Sequence, residues 1–273
     1  MKKIIAIDLD DTLLDSNKEL SAGNLAILKE AASAGVQIVP ATGRFYKGIP
    51  EVIRDLPFIN YAITVNGATV LNIHTGETLY EACIAPEEAV EIMEFLDTLP
   101  LIYDCYYDGW GYITASMMEQ VPEFITSKAL LKMMYDLRTP VDDLKSWIRE
   151  GSRSPQKIMS FTRNSTEYRD EAIRIIADRF PGFRVTTSQP TNIEVNSPRA
   201  DKGLALRSLA EALNVDMEDT AAIGDGLNDL SMIRMAGTGI AMANSCREVL
   251  EAADVITGDC DSDGAGEAIR KLI

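Results

Sequence analysis

The sequence predicts an α/β protein: a parallel sheet covered by helices on both faces, interrupted by an inserted α+β domain that carries an antiparallel sheet. Three observations predict it. In the first and last thirds, short apolar runs alternate with helical patterns, as buried parallel strands and their crossovers do. Between residues 83 and 191 that rhythm gives way to hairpin signals and paired strands. The length of 273 residues suits one large domain with an insertion, or two domains.

The elements follow in order. Residues 3–9 read as a strand. Ser21 then caps a helix with Leu25, Leu28 and Ala32 on one face, stopped by Gly35. A strand at 36–40 ends in Thr42-Gly43-Arg44. A further helix leads to a strand at 61–65 and to Asn66-Gly67, a tight-turn signal. A second turn, His74-Thr75-Gly76, pairs 68–71 with 78–80 as a hairpin. In the insertion, Pro86 opens a helix with Val90, Met93 and Leu96 on its core face. Strands at 103–107 and 112–115 flank an Asp108-Gly109 turn. After an irregular stretch come a strand at 156–162, a helix at 166–179 and a strand at 183–187. The last third reads as strands at 192–195, 220–223, 239–242 and 254–257, with helices at 201–213, 229–235, 245–252 and 265–272. The domains are therefore expected at 1–82 plus 192–273, with the insertion at 83–191.

Bulk composition narrows the function. A hydrophobic content of 46% supports a real core, and 7% aromatics gives no base-stacking stripe. The net charge of -16 argues against nucleic acid, which needs a positive surface. Four cysteines (Cys83, Cys105, Cys246, Cys260) lack CxxC spacing and fit reduced thiols better than a disulfide frame or a zinc site. The apolar run Ile4 to Ile7 is too short for a signal segment, and no run approaches a membrane span. A cytoplasmic protein is expected.

Four polar clusters follow strand ends: Asp8 with Asp10, Thr42, Lys202, and Gly224-Asp225-Gly226-Leu227-Asn228-Asp229. In an open parallel sheet the ligand crevice lies outside the carboxyl ends of the strands, so distant segments meet there. Asp8 and Asp10 alternate with Leu9, share one face and repel, which calls for a compensating cation or a catalytic reason. The only histidine, His74, sits in a hairpin turn, so a histidine-dependent triad is not expected. Clustered carboxylates without imidazole or thiolate suit a hard cation, with Mg²⁺ the natural candidate. A metal, a lysine and hydroxyl or amide donors together suit a phosphoryl group.

Asp8-Leu9-Asp10-Asp11-Thr12-Leu13, Thr42-Gly43-Arg44, Lys202-Gly203 and the 224–229 run resemble, in order and spacing, the four motifs of the haloacid dehalogenase (HAD) superfamily. The insertion resembles that of the Cof-type sugar phosphatases (subfamily IIB), and Asn66-Gly67-Ala68 is similar to a signature of that group. The resemblance implies a Rossmann-like catalytic core and a cap domain that selects substrate. It implies an Mg²⁺-dependent phosphatase acting on small phosphomonoesters, sugar phosphates or related metabolites. Asp8 would be the nucleophile that forms an aspartyl-phosphate, and Asp10 the general acid and base. Mg²⁺ would be held by Asp8, the backbone carbonyl of Asp10, and Asp225. Thr42, Gly43 and Lys202 would bind phosphoryl oxygens, with Asn228 as a further donor. Asp229 would orient Lys202 or a metal-bound water. Arg44 is either a surface residue or a substrate contact. Asn66 is a turn former first and a substrate contact second. The partner expected is a small phosphorylated metabolite, with no nucleic acid and no membrane, acting on a monomer or homodimer.

Asp11 departs from the resemblance, since the first motif often carries glycine there. Two alternatives stay open at this stage: a phosphosugar mutase on the same core, and a phospho-acceptor signalling module. The run Asp259-Cys260-Asp261-Ser262-Asp263-Gly264 mimics the start of a calcium loop, but Arg270 stands where that loop needs an acid. Tyr103, Tyr106, Tyr107, Trp110 and Tyr112 are divided between core and surface by alternation that the sequence does not resolve.

Overall fold

The structure, a computed structural model, describes residues 2–163 and 166–273. Its strands in chain order are β1 (Ile4–Ile7), β2 (Gln37–Pro40), β3 (Tyr61–Thr64), β4 (Thr69–Asn72), β5 (Thr78–Glu81), β6 (Leu101–Tyr107), β7 (Trp110–Thr114), β8 (Arg138–Val141), β9 (Lys157–Thr162), β10 (Arg184–Thr186), β11 (Asn192–Asn196), β12 (Thr220–Gly224), β13 (Gly239–Ala241) and β14 (Val255–Ile256). The chain divides into two units. The first comprises Met1–Arg44, Ile49–Glu81 and Arg199–Ile273; the second comprises Phe45–Gly48 and Ala82–Pro198.

The first unit is built on a five-stranded sheet of order β14-β13-β12-β1-β2, parallel throughout. β1 is a continuous apolar run, Ile-Ile-Ala-Ile, buried along its whole length between β12 and β2. Such a strand belongs at the centre of a sheet covered on both faces. The helix Ala22–Ser33 starts where Ser21 Oγ accepts from the Asn24 amide, and it ends before Gly35 at φ 86°. The helix Lys202–Ala212 starts at Asp201, whose carboxylate accepts from the amides of Gly203 and Leu204. A cap of this kind stabilises a helix by about 1 kcal/mol. Leu206, Leu209, Met232 and Val249 pack with Ile4, Val39 and Ile63 in one buried cluster. A single parallel bridge, Ala41 to Ile63, leads from β2 to a small antiparallel sheet, β3-β4-β5. The expected hairpin at 68–80 is the β4–β5 pair of that sheet.

The second unit carries a six-stranded sheet of order β10-β11-β9-β6-β7-β8, antiparallel except for the parallel β7–β8 pair. Tyr103 and Cys105 lie on the face packed against helices Pro86–Leu96, Leu144–Gly151 and Thr166–Arg179. Ile102, Asp104 and Tyr106 alternate onto the other face. The stretch read as irregular contains helices Ala115–Phe124, Lys128–Asp136 and Leu144–Gly151 together with β8.

Two expectations are corrected here. Residues 192–196 are not a strand of the parallel sheet. They form β11, paired antiparallel with β9 and β10, so the second unit runs on to Pro198 instead of ending at 191. The pattern Asn-Ile-Glu-Val-Asn alternates, as a strand of an antiparallel sheet does, unlike the unbroken apolar run of β1. Residues 45–48 also cluster with the second unit. Among the described residues no helix is long and apolar enough to cross a membrane. Among the described residues no disulfide joins the cysteines.

Candidate active site

The site begins where β1 stops. Asp8 continues the ladder for one residue, its amide donating to Ile223 O at 2.9 Å. This pins Asp8 beside the end of β12, which runs into Gly224-Asp225. The chain then turns back, with the amides of Leu13 and Leu14 donating to the carbonyls of Asp8 and Leu9. Lys202, the first residue of its helix and fully buried, donates to Asp8 Oδ1 at 2.7 Å and to Asp229 Oδ1 at 2.6 Å. The other oxygen of Asp229 accepts from the amides of Asp225 and Gly226, at 3.0 and 2.9 Å. Asp225 Oδ1 accepts from Thr12 Oγ1 at 2.9 Å. Three loops that follow strands or open a helix are thus tied to one lysine.

Carboxylate oxygens of Asp8, Asp225 and Asp229 all lie within 4.8 Å of one another. Three carboxylates against one ammonium leave two negative charges uncompensated. Burial, with the charges of Asp229 and Asp225, pushes Asp8 well up against the pull of Lys202. Burial and Asp229 likewise raise Asp225 to about 6. Burial works against the charge on Lys202, but Asp229 and Asp8 outweigh it and hold the ammonium protonated. An all-oxygen donor set with a deficit of two charges fits a hard divalent cation such as Mg²⁺.

Asp10 faces a different partner. Arg44 grips it with both prongs, Nε to Oδ2 at 2.8 Å and Nη2 to Oδ1 at 2.7 Å. Lys18 Nζ stands 3.8 Å from the same carboxylate. Burial pushes Asp10 up, but the Arg44 hydrogen bonds and charge, with Lys18, hold it below the usual carboxylate value. Thr42 is buried after β2, and its Oγ1 accepts from the Arg44 amide at 3.2 Å.

A family model described as haloacid dehalogenase-like hydrolase matches residues 5–269. The chain belongs to this family. The phosphatase YcsE of Bacillus subtilis (strain 168), named for 5-amino-6-(5-phospho-D-ribitylamino)uracil, is 31% identical over 99% of this chain and 96% of its own length. A haloacid dehalogenase-like hydrolase from Bacteroides thetaiotaomicron has a solved structure that matches with a TM-score of 0.85 at 29% identity, covering 100% of both chains. The HAD subclass IIB sugar phosphatase BT4131 shares the fold, with a TM-score of 0.78 at 22% identity, over 99% of this chain and 100% of that one. The HAD parallel core and the separate sheet of an inserted unit agree with the Cof-type resemblance.

The HAD motif residues come together within the first unit, with differences in detail. The clustered carboxylates are Asp8, Asp225 and Asp229. The side chain of Asp10 is absent from that group because Arg44 holds it; only its backbone carbonyl was expected at the metal. Asp229 was expected to open a helix. It does so as the N-cap of the helix Leu230–Met235, and its side chain turns back to the 225–226 amides and Lys202. Asn228 Nδ2 donates to Asn66 Oδ1 at 3.2 Å, and a Cβ on Gly43 would lie 2.8 Å from that same oxygen. Asn66 is in a left-handed turn, as expected. Arg44 contacts Asp10 rather than resting on the surface.

Some contributors escaped the sequence. Thr12 lies inside the first motif, and its hydroxyl pattern was a usable signal. Lys18 pairs with Asp11 at 2.7 Å and carries no signal at all. Asp11 has φ 61°, a conformation natural to glycine and tolerated by aspartate, which accounts for the departure noted above. Asn244 Nδ2 donates to the Asp11 carbonyl at 2.8 Å. The acidic run 259–263 works as staples: Asp261 accepts from the Ser16 amide, and Asp263 accepts from Ser21 Oγ.

Proposed function

We propose that this HAD hydrolase is an Mg²⁺-dependent phosphatase of small phosphomonoesters, sugar phosphates or related metabolites, working through an aspartyl-phosphate on Asp8. One observation carries the reading: a buried aspartate at the end of the central strand, hydrogen-bonded to a lysine that it shares with Asp229, beside Asp225. The name of the YcsE relative supports a small phosphorylated substrate.

In this reading one Asp8 oxygen attacks phosphorus while the leaving oxygen takes a proton from Asp10. Asp10 then removes a proton from water, which attacks the aspartyl-phosphate and frees inorganic phosphate and Asp8. Arg44 orients Asp10 and favours its ionised form, so the proton for the leaving oxygen reaches Asp10 from the phosphomonoester monoanion, and the ionised Asp10 left after the first step accepts the water's proton. Lys202 holds Asp8 in place and, with Thr42, the Gly43 segment and Asn228, offers donors to phosphoryl oxygens. Asp229 positions Lys202 and the Asp225 loop. Asp8, Asp225 and the backbone carbonyl of Asp10 would hold Mg²⁺, which supplies charge neutralisation between an anionic nucleophile and an anionic substrate. The inserted unit is assigned the choice of leaving group, and the protein a cytoplasmic place as monomer or homodimer. Phosphate release from an aryl phosphate, with Mg²⁺ and then with excess chelator, tests the reading. Loss of turnover with chelator and in Asp8→Asn is expected, and full activity in Asp8→Asn removes the covalent mechanism.

A further inference from the structure

Val65, Asn66 and Gly67 have φ of 51°, 56° and 88°, three consecutive residues in the left-handed region. For a β-branched residue such as Val65 this is an outlier, and it persists only where the surroundings over-determine it. The surroundings here are the site. The Val65 amide donates to Arg44 O at 2.9 Å, and the Asn66 amide donates to Thr42 O at 3.0 Å. The Val65 side chain is fully buried. Gly67 lies so close to the start of the Lys202 helix that a Cβ there would meet the Asp201 carbonyl at 2.3 Å and the Lys202 amide at 2.7 Å. Asn66 Oδ1 receives the Asn228 carboxamide. One strained turn therefore touches all three loops to which phosphoryl binding is assigned: 42–44, 201–202 and 226–229.

We propose that this turn is the positioning element of the phosphoryl site, with Asn66 orienting the Asn228 carboxamide and Gly67 setting the approach of Lys202. The proposal rests on the phosphatase reading for the roles of Asn228 and Lys202. Asn66 acts through Asn228, so its removal should weaken phosphate binding more than it alters stability. The strain has a purpose in this account, because a relaxed turn would let the three loops drift apart by the ångström that such sites do not tolerate.

Two variants and one control test it. Asn66→Gly keeps the left-handed backbone and deletes only the carboxamide. Inorganic phosphate should bind this variant about tenfold more weakly, measured by calorimetry and by product inhibition, with the thermal midpoint close to wild type. Gly67→Ala, forced against Asp201, should lower kcat about a hundredfold. Gly76→Ala is the control: this glycine is also left-handed, at φ 72°, but has nothing within 4 Å of an added Cβ. It should share the backbone strain and keep full activity. Unchanged phosphate binding in Asn66→Gly, or equal losses in Gly76→Ala and Gly67→Ala, overturns the proposal. If wild type itself neither binds phosphate nor releases it from an ester, the phosphatase reading falls first and takes this one with it.

Discussion

Lys202 in the first unit and Arg138 in the second are both wholly buried cations held by buried carboxylates, at 2.7 and 2.6 Å. Their surroundings differ. Lys202 serves two carboxylates with a third, Asp225, alongside, and these residues come from loops far apart in sequence. Arg138 on β8 reaches across Gly111 of β7, where a Cβ would collide with its side chain, to Asp104 and Tyr106 on β6. Nearby on the same sheet, Lys157 of β9 pairs with Glu194 of β11 at 2.8 Å. These pairs sit on strands of one sheet, two cations matched with two acids. Burial and ion pairing are common to both regions. What distinguishes the first is the excess of negative charge, which a folded protein tolerates when something else is to bind there. The second region is balanced and reads as architecture.

The contrast can be broken by substitution. The largest effect is expected from Asp8→Asn, which should lower turnover at least about a thousandfold. Its thermal midpoint should stay at or above wild type, because one of three crowded charges is gone. A stability loss would show that the first cluster is structural too. Next, Asp104→Ala strands Arg138 without its partner and should cost about 3–5 kcal/mol in urea unfolding. Asp104→Leu combined with Arg138→Met should recover most of that loss, since well-packed apolar replacements of buried pairs are often neutral.

Mg²⁺ at a hundredfold excess over its Kd should stabilise wild type by about 2.7 kcal/mol, read as a rise in thermal midpoint. Asp225→Asn should abolish the rise and Lys157→Met should leave it intact, confining the cation to the first region.

The smallest effect concerns acid. Burial pushes Glu194 up, but Lys157 and hydrogen bonds from Ser188 and Asn192 outweigh it, so its folded pKa lies below the ordinary 4.5. A depressed carboxylate contributes stability above its ordinary value and loses it as pH falls through the folded one. Acid unfolding followed by circular dichroism should therefore be shallower below about pH 4.5 in Glu194→Gln than in wild type. Asp104 moves the other way: burial wins over Arg138, and among the described residues its Oδ1 has no hydrogen-bond partner. Asp104→Asn should not flatten the acid limb.

How far the sequence could be read follows from which forces act locally. The parallel strands were legible because Ile4–Ile7 and its neighbours are apolar without alternation, and the helix Thr166–Arg179 falls where its periodicity puts it. The clustered Asp8, Lys202, Asp225 and Asp229 were legible because strand ends converge at one edge. The stretch between β7 and β9 was not. Pro122 lies inside a helix, and Pro140 lies in β8, which is an edge strand where a missing donor is tolerated. Both prolines read locally as breaks. The partner of Arg44 was also invisible, since nothing in Thr-Gly-Arg says which carboxylate thirty-four residues earlier the guanidinium will grip.

The central place of β1 has a consequence in time. Its neighbours are β2, made soon after it, and β12, made more than two hundred residues later. Lys202 and Asp225 arrive with that late segment. At roughly 5–20 residues per second of synthesis, Asp8 waits about ten to forty seconds for its partners. During that interval β1 has an open edge, and the second unit, whose strands are all made before residue 197, completes its own sheet first. Asp8 is thus made well before the residues that surround it in the folded protein.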